Sequence, residues 1–178
     1  MPNDRGQEAG ECVGWDYVRE LWSGRIKPVR PRFVGPEFPE RDRRFLIEVG
    51  LPTDTWPLDY VFYHDELLGR PVDGLPGLLA VGAEGAIPIM LDRSDGSVWY
   101  MLSAPYLRTF VNSDLPTFLA FLEMFRVGST AAADTGEENV VVWRRIRARY
   151  AELDPAAVAT RTATMWGTAL AEAERDVE

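Results

Sequence analysis

One cysteine, one histidine and one lysine occur in the 178 residues, and each shortage closes off a class of chemistry. A single thiol, Cys12, cannot form an internal disulfide, which fits a reducing compartment. It sits in a polar segment with no base nearby in sequence, so it reads as an incidental thiol rather than a nucleophile. The single histidine, His64, lies in FYHDELLG beside Asp65 and Glu66. Adjacent side chains on a strand or turn diverge, so three neighbours rarely converge on one ion, and His64 reads as a loop histidine. The lone lysine, Lys27, is far from the glycine-bearing GLPGLLAVGAEG, which matches neither G-x-G-x-x-G nor G-x-x-x-x-G-K-[ST]. Neither G-x-S-x-G nor H-E-x-x-H occurs. No apolar run approaches the roughly 18 residues that span a bilayer. The first residues, MPNDRGQEAGECVG, lack a basic stretch followed by an apolar one. The expectation is a cytoplasmic protein with no membrane contact and no cofactor.

Basic patches are missing too. The net charge is −9, spread as −3 in each of residues 1–70, 71–126 and 127–178. With no stripe to neutralise phosphates, direct nucleic-acid binding is disfavoured. Acidity of this size suits either a solvated surface or a basic protein partner.

What is present is ordinary globular material. At 46% hydrophobic and 26% charged, the chain suffices for one buried core. The reading is a loose segment over 1–14 followed by one domain over 15–178. GWDYVRELWSG carries Val18, Leu21 and Trp22 on one helical face. Four prolines over 27–40 predict an extended segment. ERDRRFLIEVG predicts a helix stopped by Gly50 and Pro52. Strands follow at 58–63, 77–85, 86–93 and 97–102, the last two joined through Ser94-Asp95-Gly96. Ile87, Ile89 and Leu91 share one sheet face, as do Val98, Tyr100 and Leu102. FVNSDLPTFLAFLEMF, 110–125, predicts a helix, and RVGSTAAADTGEE, 126–138, a linker. Helices are expected again over 138–153 and near the end, where Asp154 and Pro155 supply a cap and a first helical residue. The last turn, AEAERDVE, is polar and expected to fray. Helices, clustered strands, then helices give an α+β fold: a curved antiparallel or mixed sheet covered by helices.

Two segments invite a chemical reading. LDRSDGSVWYML has the acids of a calcium loop, but from Asp92 the glycine is fifth and the twelfth residue is Ser103, so a hairpin turn explains it better. Asn112-Ser113-Asp114 could be a reactive triplet, yet each residue has a structural role. Asn112 or Ser113 can cap the helix, Asp114 suits its first turn and Pro116 is tolerated there. A catalytic serine needs a base, and none is identifiable. Carboxylates are plentiful, and the sequence singles out no acid pair.

The order of these motifs resembles a known family. FVNSDLPTFLAFL at 110–122 is similar to the signature of the SUKH immunity-protein superfamily, and of its fourth family in particular. FLIEVGLPTDT at 45–55, LLAVGAEGAIPIMLDRSDGSVWYM at 78–101 and DPAAVATRTATMWGTALAE at the end resemble other parts of that family in the expected order. The resemblance implies a non-enzymatic bacterial antidote that neutralises a cognate toxin, such as a nuclease or nucleic-acid deaminase, by binding it. A general protein- or peptide-binding scaffold on the same fold is the alternative. No catalytic residues carry over. Gly50, Pro52, Gly82, Asp92, Gly96, Asn112, Ser113 and Trp166 are implied to be turns, caps and core. Toxins that act on nucleic acid tend to be basic, so acids near loops are the contact candidates: Asp54, Asp59, Asp65, Glu66 and Asp73.

Overall fold

The computed structural model describes residues 13–101, 108–134, 139–159 and 164–175. Cys12, the rest of the polar start, Leu102, residues 135–138 and the last three residues of the chain lie outside them. The α+β arrangement holds. Helix α1 (Trp15–Trp22) precedes a two-residue strand β1 (Ile26–Lys27), a 3-10 turn (Pro31–Phe33), helix α2 (Glu40–Glu48) and strand β2 (Leu51–Pro52). The meander then runs β3 (Tyr60–Phe62), β4 (Pro71–Val72), β5 (Leu75–Glu84), β6 (Ile87–Asp92), β7 (Val98–Met101) and β8 (Arg108–Asn112). Helices α3 (Leu115–Asp134), α4 (Asn139–Leu153) and α5 (Met165–Arg175) close the chain, with a 3-10 turn (Pro155–Val158) before the last.

β1 and β2 pair with each other, Ile26 opposite Pro52 and Lys27 opposite Leu51. The other six strands form one sheet in the order β3-β5-β6-β7-β8, with β4 also on β5. Every pair is antiparallel. The expected alternatives thus resolve to antiparallel, with register shifts at 71/72, 80/82 and 98/99 where the strands accommodate an extra residue. β4 meets β5 at Leu75 and Leu79 while β3 meets it at 82–84, so both lie end to end along the flank that β6 leaves free.

The two-residue strands β1, β2 and β4, and β8, go beyond the sequence expectation. Two-residue strands have no period to detect, and β8 runs into the polar triplet that was read as helix start. The linker expected over 126–138 is a correction: α3 continues to Asp134. Ser129 and Thr130 are satisfied inside the helix, donating to the carbonyls of Phe125 at 2.9 Å and Arg126 at 3.1 Å. Gly128 packs directly on Ile146 and Trp143 of α4, so it lets two helices approach rather than ending one.

α3 is the central element. Leu115, Phe118, Leu119, Ala120, Phe121 and Leu122 are all buried, which surrounds the first two turns of the helix with protein, while Val127 and Thr130 further along are exposed. Each apolar side chain of this size contributes about 1.5–3 kcal/mol on burial. The indole of Trp22 on α1 donates to the Leu119 carbonyl at 3.1 Å, and the Tyr150 hydroxyl on α4 donates to the Phe121 carbonyl. Phe121 and Tyr150 stack at 3.7 Å, and Trp166 on α5 sits against Phe118, Phe121, Phe125 and Tyr150. Phe118 also meets Tyr60 and Phe62, which faces one side of β3 toward the helical layer.

Candidate functional site

The polar triplet is fully occupied. Asn112 is the last residue of β8; its Nδ2 donates to Asp154 at 3.1 Å and its Oδ1 accepts the Trp166 indole at 2.8 Å. Ser113 gives both its backbone N–H (2.8 Å) and its hydroxyl (3.0 Å) to Asp154. The cap of α3 is Asp114, which accepts the Thr117 N–H at 2.8 Å and pairs with Arg41 at 2.9 Å. Two expectations are thereby corrected. Neither Asn112 nor Ser113 caps the helix, and Asp154, which stands at the N-cap position of the turn with Pro155 next as expected, makes no side-chain cap bond there. The Asp154 carboxylate reaches back instead, accepting three bonds at the β8–α3 junction. A cap needs its oxygen beside the first free N–H groups, and one residue of slack along the chain changes which side chain is there.

Other buried carboxylates have structural surroundings. Glu123 receives Arg25 at 2.5 Å and both prongs of Arg126 at 2.7 and 2.8 Å. Asp42 is buried against Gly96, and that burial pushes its carboxyl up to about 6. Arg41 pulls the other way, while Asp114 and Asp95 add to the rise. Glu84 accepts a hydrogen bond from the Tyr100 hydroxyl; burial first, then Glu84, raises both Tyr100 and Tyr60, so the two phenols stay protonated. Among the described residues no group of three His, Cys, Asp or Glu side chains is placed to hold a metal ion. No described helix is long and apolar enough to cross a membrane.

The signature positions separate by role. Gly50 (φ 98°) follows α2 with the Lys27 carbonyl where a side chain would stand, and Gly96 (φ 79°) turns the chain after β6. Gly82 lies 2.5 Å (as an added Cβ) from the Val61 carbonyl, so β3 and β5 touch there. Pro52 is buried in β2 and Trp166 in the core, while Asp92 accepts the Ser94 N–H and hydroxyl in the β6–β7 turn.

The exposed features gather elsewhere, at the outer edge of the sheet. Bonds from Gly85 N–H to the Asp59 carbonyl and from Tyr63 N–H to the Val81 carbonyl turn the odd residues of β3 toward β5. The backbone groups of Tyr60 and Phe62 therefore point away from the sheet. Thr55 donates to the Tyr60 carbonyl at 2.6 Å; the Phe62 N–H and carbonyl face a groove of about 640 Å³ between β3 and the β1–β2 pair. Phe33, Pro52 and Val61 give this groove apolar wall, and Lys27, Arg30 and Arg32 give it charge. His64 closes one end, its Nε2–H donating to the Pro52 carbonyl at 3.1 Å, with Asp65 beside it. Arg32 lies over the Phe33 ring at 4.6 Å.

The five acids expected at a contact surface are all exposed. Asp54 and Asp59 precede β3, Asp65 and Glu66 follow it, and Asp73 makes the turn between β4 and β5. Four of them bracket one strand edge. Asp54 and Asp65 also accept the N–H two residues on, from Trp56 and Leu67. Sequence reasoning missed the apolar and cationic parts of the same edge. Trp56 is 78% exposed and Val61 58%, the two most exposed large apolar side chains among the described residues. Nothing in WPLDYVFYH distinguishes an outward tryptophan from a core one. The expectation of an extended segment over 27–40 is a correction as well: Lys27 lies on β1, but Pro31–Phe33 is a 3-10 turn that carries Arg32, with Arg30 at its N-cap, and strand plus turn set the three cations along one groove.

An antiparallel sheet with a helical layer, whose uncommitted aromatic, charged and strand-edge groups collect at one margin, has the build of a recognition module. The chain belongs to the SUKH-4 immunity protein family, whose description matches residues 31–172. That span takes in the groove from Pro31 onward, the whole main sheet and α3 through most of α5. No curated protein and no solved structure matches the chain.

Proposed function

We propose that this protein is a cytoplasmic, non-catalytic antidote that neutralises a cognate bacterial toxin by binding it and blocking its site. The observation that carries the reading is membership of an immunity family together with an exposed aromatic anchor, Trp56, on a strand edge flanked by Asp54, Asp59, Asp65 and Glu66. Interface energy concentrates in a few anchors, tryptophan prominent among them, while surrounding charges set encounter rate and specificity. A toxin acting on nucleic acid presents a basic surface to its substrate, and the acids around β3 complement such a surface, with Asp73 further along the same flank.

The test is growth rescue. Cells producing the toxin domain encoded beside this gene are expected to survive only when the protein is co-produced, and the two are expected to co-purify. Trp56→Ala is expected to weaken binding by at least about 2 kcal/mol while leaving the fold intact, since the side chain is outside the core. Failure of both rescue and co-purification with the native protein would sink the reading.

A further inference from the structure

The groove beside β3 carries charge of the opposite sign to the rest of the molecule. Net charge is −9, and eight of the described arginines are matched with carboxylates: Arg19, Arg25, Arg41, Arg43, Arg44, Arg126, Arg147 and Arg149. Lys27, Arg30 and Arg32 are exposed and form no ion pair among the described residues. Three cations without an ion pair, against the one lining carboxylate Asp65, leave this groove net positive in an acidic protein and mark a place where negative charge is received. The groove is also lined by apolar Phe33, Pro52 and Val61, and one wall is a strand whose Phe62 N–H and carbonyl are turned outward. An unpaired strand edge binds extended chain through backbone hydrogen bonds, with side-chain pockets supplying selectivity.

We propose that the groove takes an extended, carboxylate-bearing segment of the neutralised toxin, which adds to the sheet alongside β3. The inference rests on the neutralisation reading and deepens it. Backbone groups of the segment pair with Phe62, its alternate side chains place acids against Lys27, Arg30 and Arg32, and the intervening ones lie on Phe33 and Val61. Because Asp54, Asp59 and Glu66 stand around the groove, the partner presents an acidic strand set in a basic surround. Single-stranded nucleic acid is the other polyanion a basic groove could hold. The apolar wall and strand edge, and the absence of a wider basic surface among the described residues, favour peptide.

The experiment uses the full chain, isotope-labelled for amide NMR, titrated separately with an acetylated octapeptide alternating Glu and Val, its Lys/Val counterpart, and an octameric deoxythymidine strand. The expected result is that the Glu peptide shifts the amides of Thr53, Val61 and Phe62, and that Lys27→Glu/Arg30→Glu/Arg32→Glu weakens it at least tenfold. No shift at millimolar Glu peptide, equal binding of the Lys peptide, or preferential binding of the oligonucleotide at these amides overturns the proposal. The same triple variant is then used in growth rescue. If the native protein rescues and the folded variant does not, the groove is supported; if both rescue equally, the groove is rejected while neutralisation stands. If the native protein fails to rescue, the neutralisation reading falls on its own.

Discussion

Trp166 and Asn112 face each other across the junction of sheet and helices, and their bond illustrates how single buried polar groups are held. The indole N–H is the partner of the Asn112 Oδ1, while Asn112 Nδ2 is committed to Asp154. Trp166→Phe keeps most of the ring packing but strands a buried acceptor, so a loss of about 1–3 kcal/mol is expected in urea unfolding. An unchanged midpoint would mean the amide re-pairs. Asp42 behaves in the opposite sense. Its carboxyl, normally near 3.8, rises to about 6 in the fold, chiefly through burial. The folded protein therefore holds this proton more tightly than the unfolded chain does. Stability from this group is greatest below about pH 4, falls as pH rises toward 6, and stays reduced above that. Asp42→Asn is expected to stabilise the protein by up to about 3 kcal/mol at pH 7.5 and by almost nothing near pH 4. Melting curves across that range check it; a gain independent of pH would refute the burial argument.

At the level of elements, legibility followed periodicity. α1, α2 and α4 have apolar side chains recurring at helical spacing, and β5, β6 and β7 alternate between glycine-marked turns, so both kinds were visible in the sequence. What stayed hidden depended on distant partners. Gly128 has the look of a helix breaker until Ile146 and Trp143 are seen against it. Asp154 has the look of a cap until Asn112 and Ser113, more than 40 positions away, claim its oxygens. The groove failed to show for the same reason, since Lys27 and Arg32 meet Val61 only after β1–β2 folds beside β3. Gly50 is one element boundary where sequence and structure agree on physical cause. Its φ of 98° and the Lys27 carbonyl at its Cβ position exclude a side chain. Gly50→Ala is expected to cost at least about 2 kcal/mol. Gly14→Ala, at φ −66° with open space around it, should stay within about 1 kcal/mol. Similar losses at both positions would show that backbone strain at Gly50 is not the cause.

Across the whole molecule, charge is divided between a diffuse negative field and a local positive groove, and these act at different stages of association. Long-range steering of a basic partner depends on the net charge, whereas retention depends on the contacts formed after docking. Lys27→Glu/Arg30→Glu/Arg32→Glu changes the net charge by −6, from −9 to −15, and at the same time removes every cation lining the groove. For a partner with a basic surround and an acidic strand, the two effects have opposite signs. The association rate is expected to hold or rise at low salt, and to fall about tenfold between 50 and 500 mM salt as the field is screened. The dissociation rate is expected to increase by at least tenfold at every salt concentration, because the lost contacts lie inside the interface. Surface-binding kinetics with the toxin domain separate these outcomes. A variant that associates more slowly and dissociates normally would place the cations in steering rather than docking, and would assign the partner's exposed field a negative sign.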